Sequence, residues 1–365
     1  MFLYAEMKMS EKLKVGVIGT GIIGKSHISG YMGMSNDVEL VAIADLNKEE
    51  AARVAVANNI PNDNVFSDYK DLLKMDEIAG VDVCLPNNLH APVTIAALEA
   101  GKNVYCEKPM ARTIQEAQSM YDAAKRTGKM LSVQLGTLFS WEAKAAKHFV
   151  ETGVLGRVYY VKTSHYRRRG RVYVDGYATP HFVQKEISGG GALADMAVYH
   201  MAFMVHLLGN PDLESVTAST YQEIDMDEER RKFSKYNVEE LGIGFVRFKG
   251  NITMFVEESW AINMDRDEGD LIMGSKGGLR LNPFTLFTEV GGMNMDYNFD
   301  LKNFEGHQRS IGKVVEGMEG PQKNFAWAQL GRVPLVDTAS IALKVVQITD
   351  AMYRSAEKHE EISFK

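Results

Sequence analysis

The sequence predicts a doubly wound α/β domain with a parallel sheet, followed by an α+β domain with an antiparallel sheet. From about residue 12 to residue 137, apolar strand-like segments alternate with helical segments, and a glycine-rich turn joins the first strand to the first helix. Beyond about residue 155, strand-like runs follow one another with little helix between the later ones. Because 365 residues exceed one ordinary core, we expect two domains, residues 1–137 and 138–365.

The first strand, residues 14–18, runs into the turn Gly19-Thr20-Gly21-Ile22-Ile23-Gly24, and the residues after it are typical of a helix. In such a turn Gly19 permits the tight bend, Gly21 lets the backbone approach a pyrophosphate, and Gly24 lets helix and strand pack closely. The start of the helix offers free N–H groups and the positive end of its dipole to phosphates. The turn alone is also compatible with a purely structural role. The residues that follow it are therefore needed to distinguish a structural turn from a dinucleotide-binding one.

The second strand, residues 38–44, supplies that context because it ends at Asp45. This is the spacing at which a Rossmann dinucleotide-binding domain places an acidic residue on the adenine ribose. A carboxylate accepts hydrogen bonds from both ribose hydroxyls and repels a 2′-phosphate. No arginine follows directly, so we expect NAD as the cofactor; Lys48 and Arg53 keep NADP as the alternative.

The remaining elements complete both domains. In the first domain we expect helices over residues 48–57, 69–75, 91–100 and 114–127, and strands over 65–66, 81–85, 104–106 and 130–135. Gly101 and Gly128 fit the C-caps of the last two helices. In the second domain, strands are expected over residues 158–162, 216–221, 241–248 and 252–260. The charged stretch 223–240 is interpreted as a solvated excursion on that sheet.

Composition narrows the class of protein. Apolar residues make up 45% of the chain, and no apolar run reaches the length of a membrane span. Residues 1–8 lack the apolar core of a signal peptide, and a net charge of −7 argues against nucleic acid as the main partner. No HxH, HExxH or CxxC pattern occurs, so no dedicated metal site is expected. We therefore expect a cytoplasmic enzyme that binds neither nucleic acid nor membrane.

Two places outside the glycine turn carry chemistry, and the first is Glu107-Lys108-Pro109, directly after the strand that ends at Cys106. Ligands of open α/β sheets bind beyond the carboxyl ends of the strands, so Lys108 is directed at the cofactor crevice. There its ammonium group can bind an alcohol oxygen and stabilise the developing alkoxide. The alternative is a surface lysine before a proline turn.

The second place is the segment 188–200, in which Gly189, Gly190 and Gly191 open an apolar helix that is expected to end near Leu208. Asp195 and Tyr199 are four residues apart and share a face of that helix. His200 follows Asp195 by five residues, about 140° round an ideal helix. The alternatives are a helix cap for Asp195 and core positions for Tyr199 and His200.

Four motifs together resemble the Gfo/Idh/MocA family, which is named for glucose–fructose oxidoreductase, inositol dehydrogenase and a rhizopine-catabolism protein. They are Gly19-x-Gly21-x-x-Gly24, Pro86-Asn87-x-x-His90, Glu107-Lys108-Pro109 and Gly189-Gly190-Gly191-x-x-x-Asp195. The resemblance extends over nearly the whole chain, through residues 272–278 and the closing helix around residues 351–356. The glycine turn is common to many folds, but the Glu-Lys-Pro motif with the later glycine-rich segment is specific.

The resemblance implies a Rossmann domain followed by a domain with a large open antiparallel sheet that commonly serves oligomerisation, so a homo-oligomer is expected. It also implies NAD(P)-dependent oxidation or reduction of sugars, polyols or glycosides, with Lys108 and Asp195 as catalytic residues. The cofactor-binding residues expected from the turn, from Asp45 and from the resemblance are Gly19, Gly21, Ile22, Ile23, Gly24, Asp45, Pro86, Asn87, His90, Glu107 and Lys108.

The chain departs from the family pattern at the position of the general base. Many members carry histidine four residues after the aspartate, whereas here Tyr199 holds that position, as in some members, and His200 follows. The spacing from Asp195 to Gly209 matches the usual pattern, so no insertion shifts His200 into the position. Geometry favours Tyr199, while chemistry favours His200, whose ordinary pKa of about 6.5 suits a general base. We keep both candidates and lean towards His200.

The segment 165–171 is basic and leads into a loop with Tyr173, Tyr177 and His181, which would suit a hydroxyl-rich or acidic ligand. The alternatives are a solvated strand end and an interface. The expected substrate-binding residues are Lys108, Arg167, Tyr177, His181, Asp195 and His200.

The resulting hypothesis is an NAD-dependent dehydrogenase that oxidises a secondary ring hydroxyl of a sugar, cyclitol or glycoside. A glycosidase that uses NAD transiently is one alternative, and a sugar-responsive regulator is the other. A regulator needs neither Lys108 nor Asp195, so their presence argues against it.

Overall fold

The first sheet carries the glycine turn. In this computed structural model, which describes residues 12–364, six parallel strands lie in the order β3-β2-β1-β4-β5-β6. The strands are β1 Leu13–Ile18, β2 Val38–Ala44, β3 Val65–Phe66, β4 Gly80–Val83, β5 Asn103–Cys106 and β6 Leu131–Val133. The helices between them are α1 Ile22–Met32, α2 Lys48–Ala57, α3 Tyr69–Leu73, α4 Asn87–Glu99 and α5 Ile114–Thr127. The predicted doubly wound α/β architecture is confirmed.

The strand order places the functional segments at one edge of this sheet. The chain runs from β1 outward through β2 to β3, and then returns to β4 on the other side of β1. Such a reversal opens a crevice beyond the carboxyl ends of the strands. The glycine turn, Asp45, Pro86 and Glu107 follow β1, β2, β4 and β5 respectively, so all four lie along this edge.

The second sheet has nine strands, among the residues described, in the order β14-β13-β12-β11-β7-β10-β9-β8-β15. The strands are β7 Val158–Tyr166, β8 Leu213–Tyr221, β9 Leu241–Phe248, β10 Ile252–Ser259, β11 Leu271–Gly274, β12 Gly277–Leu281, β13 Phe284–Val290, β14 Met293–Asn298 and β15 Ile362–Ser363. The expected antiparallel pairing holds except between β7 and β10, which are parallel, so the sheet is mixed. The reason is that β8, β9 and β10 form a meander whose last strand lies beside β7 in the same direction.

The helices of this second part are α6 Trp141–Glu151, α7 Lys185–Ser188, α8 Ala192–Asp195, α9 Ala197–Leu207, α10 Glu228–Ser234, α11 Leu301–Ser310, α12 Pro321–Gln329 and α13 Thr338–Lys358. The single helix predicted from Gly191 to Leu208 is therefore wrong, because Met196 interrupts it between α8 and α9. No helix within residues 12–364 is long and apolar enough to cross a membrane.

The chain returns to the first sheet near its end. Phe325 of α12 stacks on Tyr105 of β5 with ring centroids 5.6 Å apart, and the Thr338 hydroxyl accepts the Val133 N–H at 2.8 Å. Residues well beyond 137 thus help to cover the first sheet. The boundary between residues 137 and 138 remains a prediction.

The charged stretch 223–240 is only partly solvated. Helix α10 lies mostly at the surface, but Glu239 and Glu240 are buried. Glu240 accepts the backbone N–H groups of Glu223 and Ile224 and pairs with the buried Arg171 at 3.0 Å. The interpretation as a solvated excursion is wrong at these two residues, because backbone donors and a guanidinium compensate their burial.

Candidate active site

The glycine turn has the geometry of a phosphate site. Gly19 has a φ of +99°, and a side chain there would collide with the Cys84 carbonyl, while one at Gly24 would collide with the Gly19 carbonyl. At Gly21 a Cβ atom would meet no atom within 4 Å, so this backbone faces open space. No side chain caps α1 at Gly21, which leaves its first N–H groups available to an anion. The turn therefore fits a dinucleotide pyrophosphate.

The side chains around the turn fit the rest of a dinucleotide. Asp45 Oδ2 accepts the backbone N–H and the hydroxyl of Thr20 at 2.7 and 2.9 Å, and its Oδ1 accepts the Asn47 N–H at 2.8 Å. These bonds fix the carboxylate beside the turn, where it can receive ribose hydroxyls. Ile22, Ile23 and Leu46 are exposed apolar side chains at the same edge, and Leu46 is 88% exposed. Apolar surface beside Asp45 suits contact with a planar base.

The loop after β4 has a bracing role. Asn87 begins α4, and its Nδ2 donates to the Ser188 carbonyl at 2.8 Å, which ties the loop to the segment before α8. His90 is fully buried, and its two ring nitrogens lie 2.7 Å from the Pro109 carbonyl and 2.8 Å from the Leu85 carbonyl. His90 thus joins the loops around Pro86 and Lys108. The sequence instead predicts that His90 lines the cofactor site. The roles predicted for Pro86 and Asn87 remain predictions.

Lys108 and Asp195 form the centre of the site. The Lys108 ammonium donates to Asp195 Oδ1 at 2.7 Å and to the Asp195 carbonyl at 2.9 Å. It also lies 4.7 Å from the centroid of the Tyr199 ring. The structure therefore brings Lys108, Asp195 and Tyr199 together, across the two sheets. Among residues 12–364 no hydrogen bond joins Asp195 to Tyr199 or His200, so Asp195 holds the lysine and not the candidate base.

The charges at this centre define what each group can do. Burial lowers the pKa of Lys108, but the combined effect of Asp195 and Tyr199 outweighs that of burial. The pKa of Lys108 therefore lies above its ordinary value. Lys108 is therefore a cation that donates hydrogen bonds and not a base. Burial raises the pKa of Tyr199, and the Lys108 charge opposes this rise without cancelling it. At neutral pH Tyr199 is thus a neutral hydroxyl beside a cation.

A buried glutamate and two glycines fix the segment that leads to Asp195. Glu239 accepts the N–H groups of Gly191 and Leu193, each at 2.9 Å, at the start of α8. The Tyr353 hydroxyl donates to the same carboxylate at 2.9 Å. Side chains at Gly190 and Gly191 would collide with Tyr353 and with the Glu239 backbone. The glycines are required for this close packing, which fixes the turn that presents Asp195.

His200 lies in a different cluster, on the face of the second sheet. Its Nδ1 is 2.9 Å from Glu258 Oε2, and its ring stacks on that of His165 with centroids 3.5 Å apart. His165 Nε2 lies 3.1 Å from Asp270 Oδ1. Burial lowers the pKa of His200 and raises that of Glu258 well above its ordinary value, although the charge of His165 opposes the latter effect. The histidine is therefore neutral at neutral pH.

Three buried polar atoms of this cluster lack an aligned hydrogen bond, although two of them, His165 Nε2 and Asp270 Oδ1, form the 3.1 Å pair described above. Among the described residues, Glu258 Oε1, His165 Nε2 and Asp270 Oδ1 are buried and make no aligned hydrogen bond. Buried polar atoms of this kind are costly and usually find a partner. A ligand with several hydroxyl groups would supply such partners.

The predicted substrate loop lies partly at the site. Arg167 donates to the Tyr177 hydroxyl, which in turn donates to the Gly170 carbonyl at 2.9 Å. Burial raises the pKa of Tyr177, and the charges of Arg167, Asp195 and Lys108 also act on it, which indicates that Tyr177 lies near Lys108 and Asp195. His181 is exposed, and within residues 12–364 no side-chain hydrogen bond or ion pair joins it to that pair. Its role in substrate binding remains a prediction.

Four acidic residues in this region were missed by the sequence reasoning. Asp82 lies inside β4 and Glu258 inside β10, while Glu239 lies just before β9 and Asp270 just before β11. The available signal was a carboxylate in a strand that is otherwise buried, since such a group needs a partner.

Comparisons with known proteins agree with this geometry. The family model of the Gfo/Idh/MocA oxidoreductases with an NAD-binding Rossmann fold matches residues 13–135, and the model of the family's C-terminal domain matches residues 143–280. The D-glucoside 3-dehydrogenase of Escherichia coli (strain K12) is 30% identical over 357 residues, which are 95% of this chain and 96% of that protein. The levoglucosan dehydrogenase of Pseudarthrobacter phenanthrenivorans is 34% identical over 224 residues, 58% of this chain and 55% of that protein.

The fold has the same relatives. The structure of a levoglucosan dehydrogenase in complex with NADH and levoglucosan superposes with a TM-score of 0.73 at 23% identity, over 97% of this chain and 99% of that one. At this identity the match shows the fold. The resemblance derived from the four motifs is confirmed: the chain belongs to the Gfo/Idh/MocA family of oxidoreductases, and residues 13–135 are its NAD-binding Rossmann domain.

Proposed function

We propose that this oxidoreductase uses NAD to oxidise, reversibly, a secondary ring hydroxyl of a sugar, cyclitol or glycoside to a ketone. The observation that carries the proposal is the Lys108 ammonium, which Asp195 holds beside Tyr199 at the carboxyl edge of the NAD-binding sheet. A cation at this point can bind the oxygen of an alcohol and stabilise the alkoxide. The names of the relatives, a glucoside and a levoglucosan dehydrogenase, agree with a ring hydroxyl as the reacting group.

The cofactor and the protein divide the chemistry. The glycine turn and Asp45 would hold NAD, which accepts hydride from the carbon that bears the hydroxyl. Lys108 binds the substrate oxygen while Asp195 holds the ammonium in place. Because an ammonium group has three donors, Lys108 can bind Asp195 and the substrate at the same time.

The arrangement favours Tyr199 over His200 as the group that accepts the proton of the substrate hydroxyl. From the sequence alone we lean towards His200. Tyr199 contacts Lys108, whose charge lowers the cost of forming a phenolate. His200 is instead held by Glu258 and His165. We infer that Tyr199 accepts the hydroxyl proton in oxidation and returns it in reduction, and that His200 binds another hydroxyl of the substrate.

The buried polar atoms of the second sheet support a polyhydroxylated substrate. Among the described residues, Glu258 Oε1 has no partner, the His165–Asp270 pair is poorly aligned, and Arg167 and Tyr177 are exposed polar side chains of the predicted substrate loop. A ring with several hydroxyls can donate to the carboxylates and accept from the other groups. A ligand with a single hydroxyl would leave most of these atoms unpaired.

The test is a panel of sugars, cyclitols and glycosides assayed for NADH production by absorbance. We expect turnover of at least one pyranoside or cyclitol, with NAD preferred to NADP, and an oxidised product two mass units lighter than the substrate. Release of an aglycone without net NADH would identify the glycosidase alternative instead. Sugar binding by calorimetry without any turnover would identify a regulator.

We also propose that the protein acts in the cytoplasm as a homo-oligomer. The sheet register places Tyr221, Phe245 and Met273 on the same face of the second sheet, and each is at least a third exposed. Apolar groups spread over one face of a sheet suit contact with a second copy. Light scattering coupled to gel filtration should give a multiple of 40.7 kDa; a mass equal to one chain would contradict this.

A further inference from the structure

A buried charged cluster lies directly under the glycine turn. His27 belongs to α1, Asp82 to β4, and Glu107 follows β5. The Nδ1 atom of His27 lies 2.9 Å from Asp82 Oδ2, and its Nε2 atom lies 2.9 Å from Glu107 Oε1. Asp82 is fully buried and the other two are less than a tenth exposed. One imidazole therefore connects two carboxylates from two neighbouring strands.

The cluster reaches the catalytic lysine through Glu107. While Oε1 of Glu107 binds His27, its Oε2 accepts the backbone N–H of Lys108 at 2.9 Å. A continuous series of bonds thus runs from α1, the helix that starts at the glycine turn, to the backbone of Lys108. Two side chains, those of His27 and Glu107, thus link the helix that would bind the pyrophosphate to the residue that would bind the substrate oxygen.

The bonds require a cation. A neutral imidazole donates from only one nitrogen, whereas the two carboxylates each need a donor. Burial lowers the pKa of His27, but the charges and hydrogen bonds of Asp82 and Glu107 raise it to about 10. The other groups around the cluster are Cys84 after β4, Tyr105 on β5, Tyr31 on α1 and Gln322 on α12. Burial raises the pKa of Cys84, Tyr105 and Tyr31, so these three are neutral at neutral pH.

A metal ion is the competing explanation. Within residues 12–364, His27, Asp82 and Cys84 place one ligand atom each within 4.8 Å of one another. An imidazolium cannot ligate a metal, however, and here both ring nitrogens are engaged with carboxylates. The ion pair accounts for all of these contacts, and metal binding becomes an outcome of the test.

We propose that His27 is a positioning residue, which as a buried cation holds Glu107, and with it the backbone of Lys108, at a fixed distance from the cofactor-binding helix. The proposal rests on the role of Lys108 in the proposed function. It assigns His27 an effect on the chemical step in addition to any effect on stability.

The main variant is His27→Gln, and His206→Gln is its matched control. Glutamine is neutral and too short to connect both carboxylates. His206 is half-buried in the last turn of α9, seven residues after Tyr199, so the same substitution tests for a general effect of replacing a histidine. We expect His27→Gln to lower kcat by about tenfold to a hundredfold, as small displacements of catalytic groups do. The KM for sugar should stay within threefold, and the control should keep full activity.

Two measurements separate positioning from a merely structural role. In protein labelled with ¹⁵N-lysine, the Lys108 amide should lose protection from hydrogen exchange in His27→Gln but not in the control. In the unmodified full-length protein, ring ¹H–¹⁵N correlations should show His27 with both nitrogens protonated at pH 8, a result that needs no variant to fold.

Several results would overturn the proposal. They are a folded His27→Gln variant with kcat within twofold of the unmodified enzyme, unchanged protection of the Lys108 amide, a neutral His27 ring at pH 8, and zinc bound stoichiometrically by His27 and Cys84. Failure of the proposed function is distinguishable, because it would appear as absence of NADH production by the unmodified protein on the sugar panel, while the amide and ring measurements still report on the link.

Discussion

The two halves of the active site differ in how their polar groups are satisfied. On the cofactor side, both nitrogens of His27 and both oxygens of Asp45 have partners within the chain. On the substrate side, among the residues described, Glu258 Oε1 is buried without a partner, and Asp270 Oδ1 has only His165 Nε2, at 3.1 Å and without an aligned hydrogen bond. His27 and Asp45 are thus fully paired within the chain, whereas the substrate side keeps hydrogen-bonding capacity that a ligand can use.

His27 on the cofactor side and His200 on the substrate side differ in the same way. His27 lies between two carboxylates, and its pKa is raised to about 10 against the effect of burial. His200 has one carboxylate partner, Glu258, whose own pKa burial raises, and the pKa of His200 is lowered. One histidine is a fixed cation and the other a neutral ring that can change its partner. The charge of a buried histidine is thus decided by the number of ionised partners and not by burial alone.

The largest effect on turnover is expected from replacing Lys108, which lies between the cofactor half and the substrate half of the site. Lys108→Ala should lower kcat about a thousandfold, as loss of a preorganised donor to an oxyanion does. NADH affinity should stay within severalfold, because the glycine turn and Asp45 are intact. Steady-state kinetics on the best sugar substrate and NADH fluorescence measure the two quantities.

Lys108→Met is the second variant for this test, because it keeps the aliphatic stem without the charge. Near-full activity of either variant would refute the assignment of the site. An equal loss of NADH binding and turnover would mean that Lys108 serves the cofactor side only.

Tyr199→Phe and His200→Gln test which of the two residues is the general base. If Tyr199 moves the proton, its variant should lose about a hundredfold in kcat, within the usual range for acid–base catalysis, while His200→Gln mainly raises KM. Since burial raises the pKa of Tyr199, oxidation by the unmodified enzyme should then accelerate towards alkaline pH. If His200 is the base, the acid limb should instead lie below pH 6.5, since its pKa is lowered.

The outcomes of these two variants exclude each other. A hundredfold loss in His200→Gln together with an acid limb below neutrality would assign the base to the substrate side. Near-full activity of both variants would exclude both residues.

The sequence predicted the first half of the molecule well because its signals are local. The strand, the glycine turn and Asp45 are set by backbone geometry over a few residues, and the structure places them as expected. The parallel pairing of β7 with β10 was missed, since it depends on residues about ninety positions apart. The break at Met196 was missed because the apolar pattern of residues 192–208 continues through it without a helix-breaking residue.

The sequence predicted that Lys108 and Asp195 belong to one site, but it did not predict the residues that support them. Lys108 and Asp195 follow from motif positions, and they meet at 2.7 Å. Glu239 and Glu258 support the site from distant strands, and nothing in their local sequence names the partner. His27 lay three residues after the last glycine of the turn, where helical position alone cannot tell a core histidine from a buried cation.

A smaller effect, confined to the substrate side, is expected from Glu258. Glu258→Leu should raise KM for sugar about tenfold, since it leaves His200 Nδ1 without its partner. Glu258→Gln should stay within about threefold, because an amide mimics a protonated carboxyl group. NADH affinity should be unchanged in both; a comparable loss of NADH binding would show that the two halves are not independent.

The smallest effect concerns the choice of cofactor. Asp45 repels a 2′-phosphate, so the unmodified protein should bind NADH more tightly than NADPH, and Asp45→Ala should narrow that gap by about fivefold. Because Asp45 also accepts two bonds from Thr20, the alanine variant alone would confuse loss of charge with loss of the turn. Asp45→Asn separates them, since its amide oxygen can keep the Thr20 bonds without the charge. If calorimetry shows that Asp45→Asn narrows the gap as much as Asp45→Ala, charge sets the preference; equal binding of NADH and NADPH by the unmodified protein would contradict it.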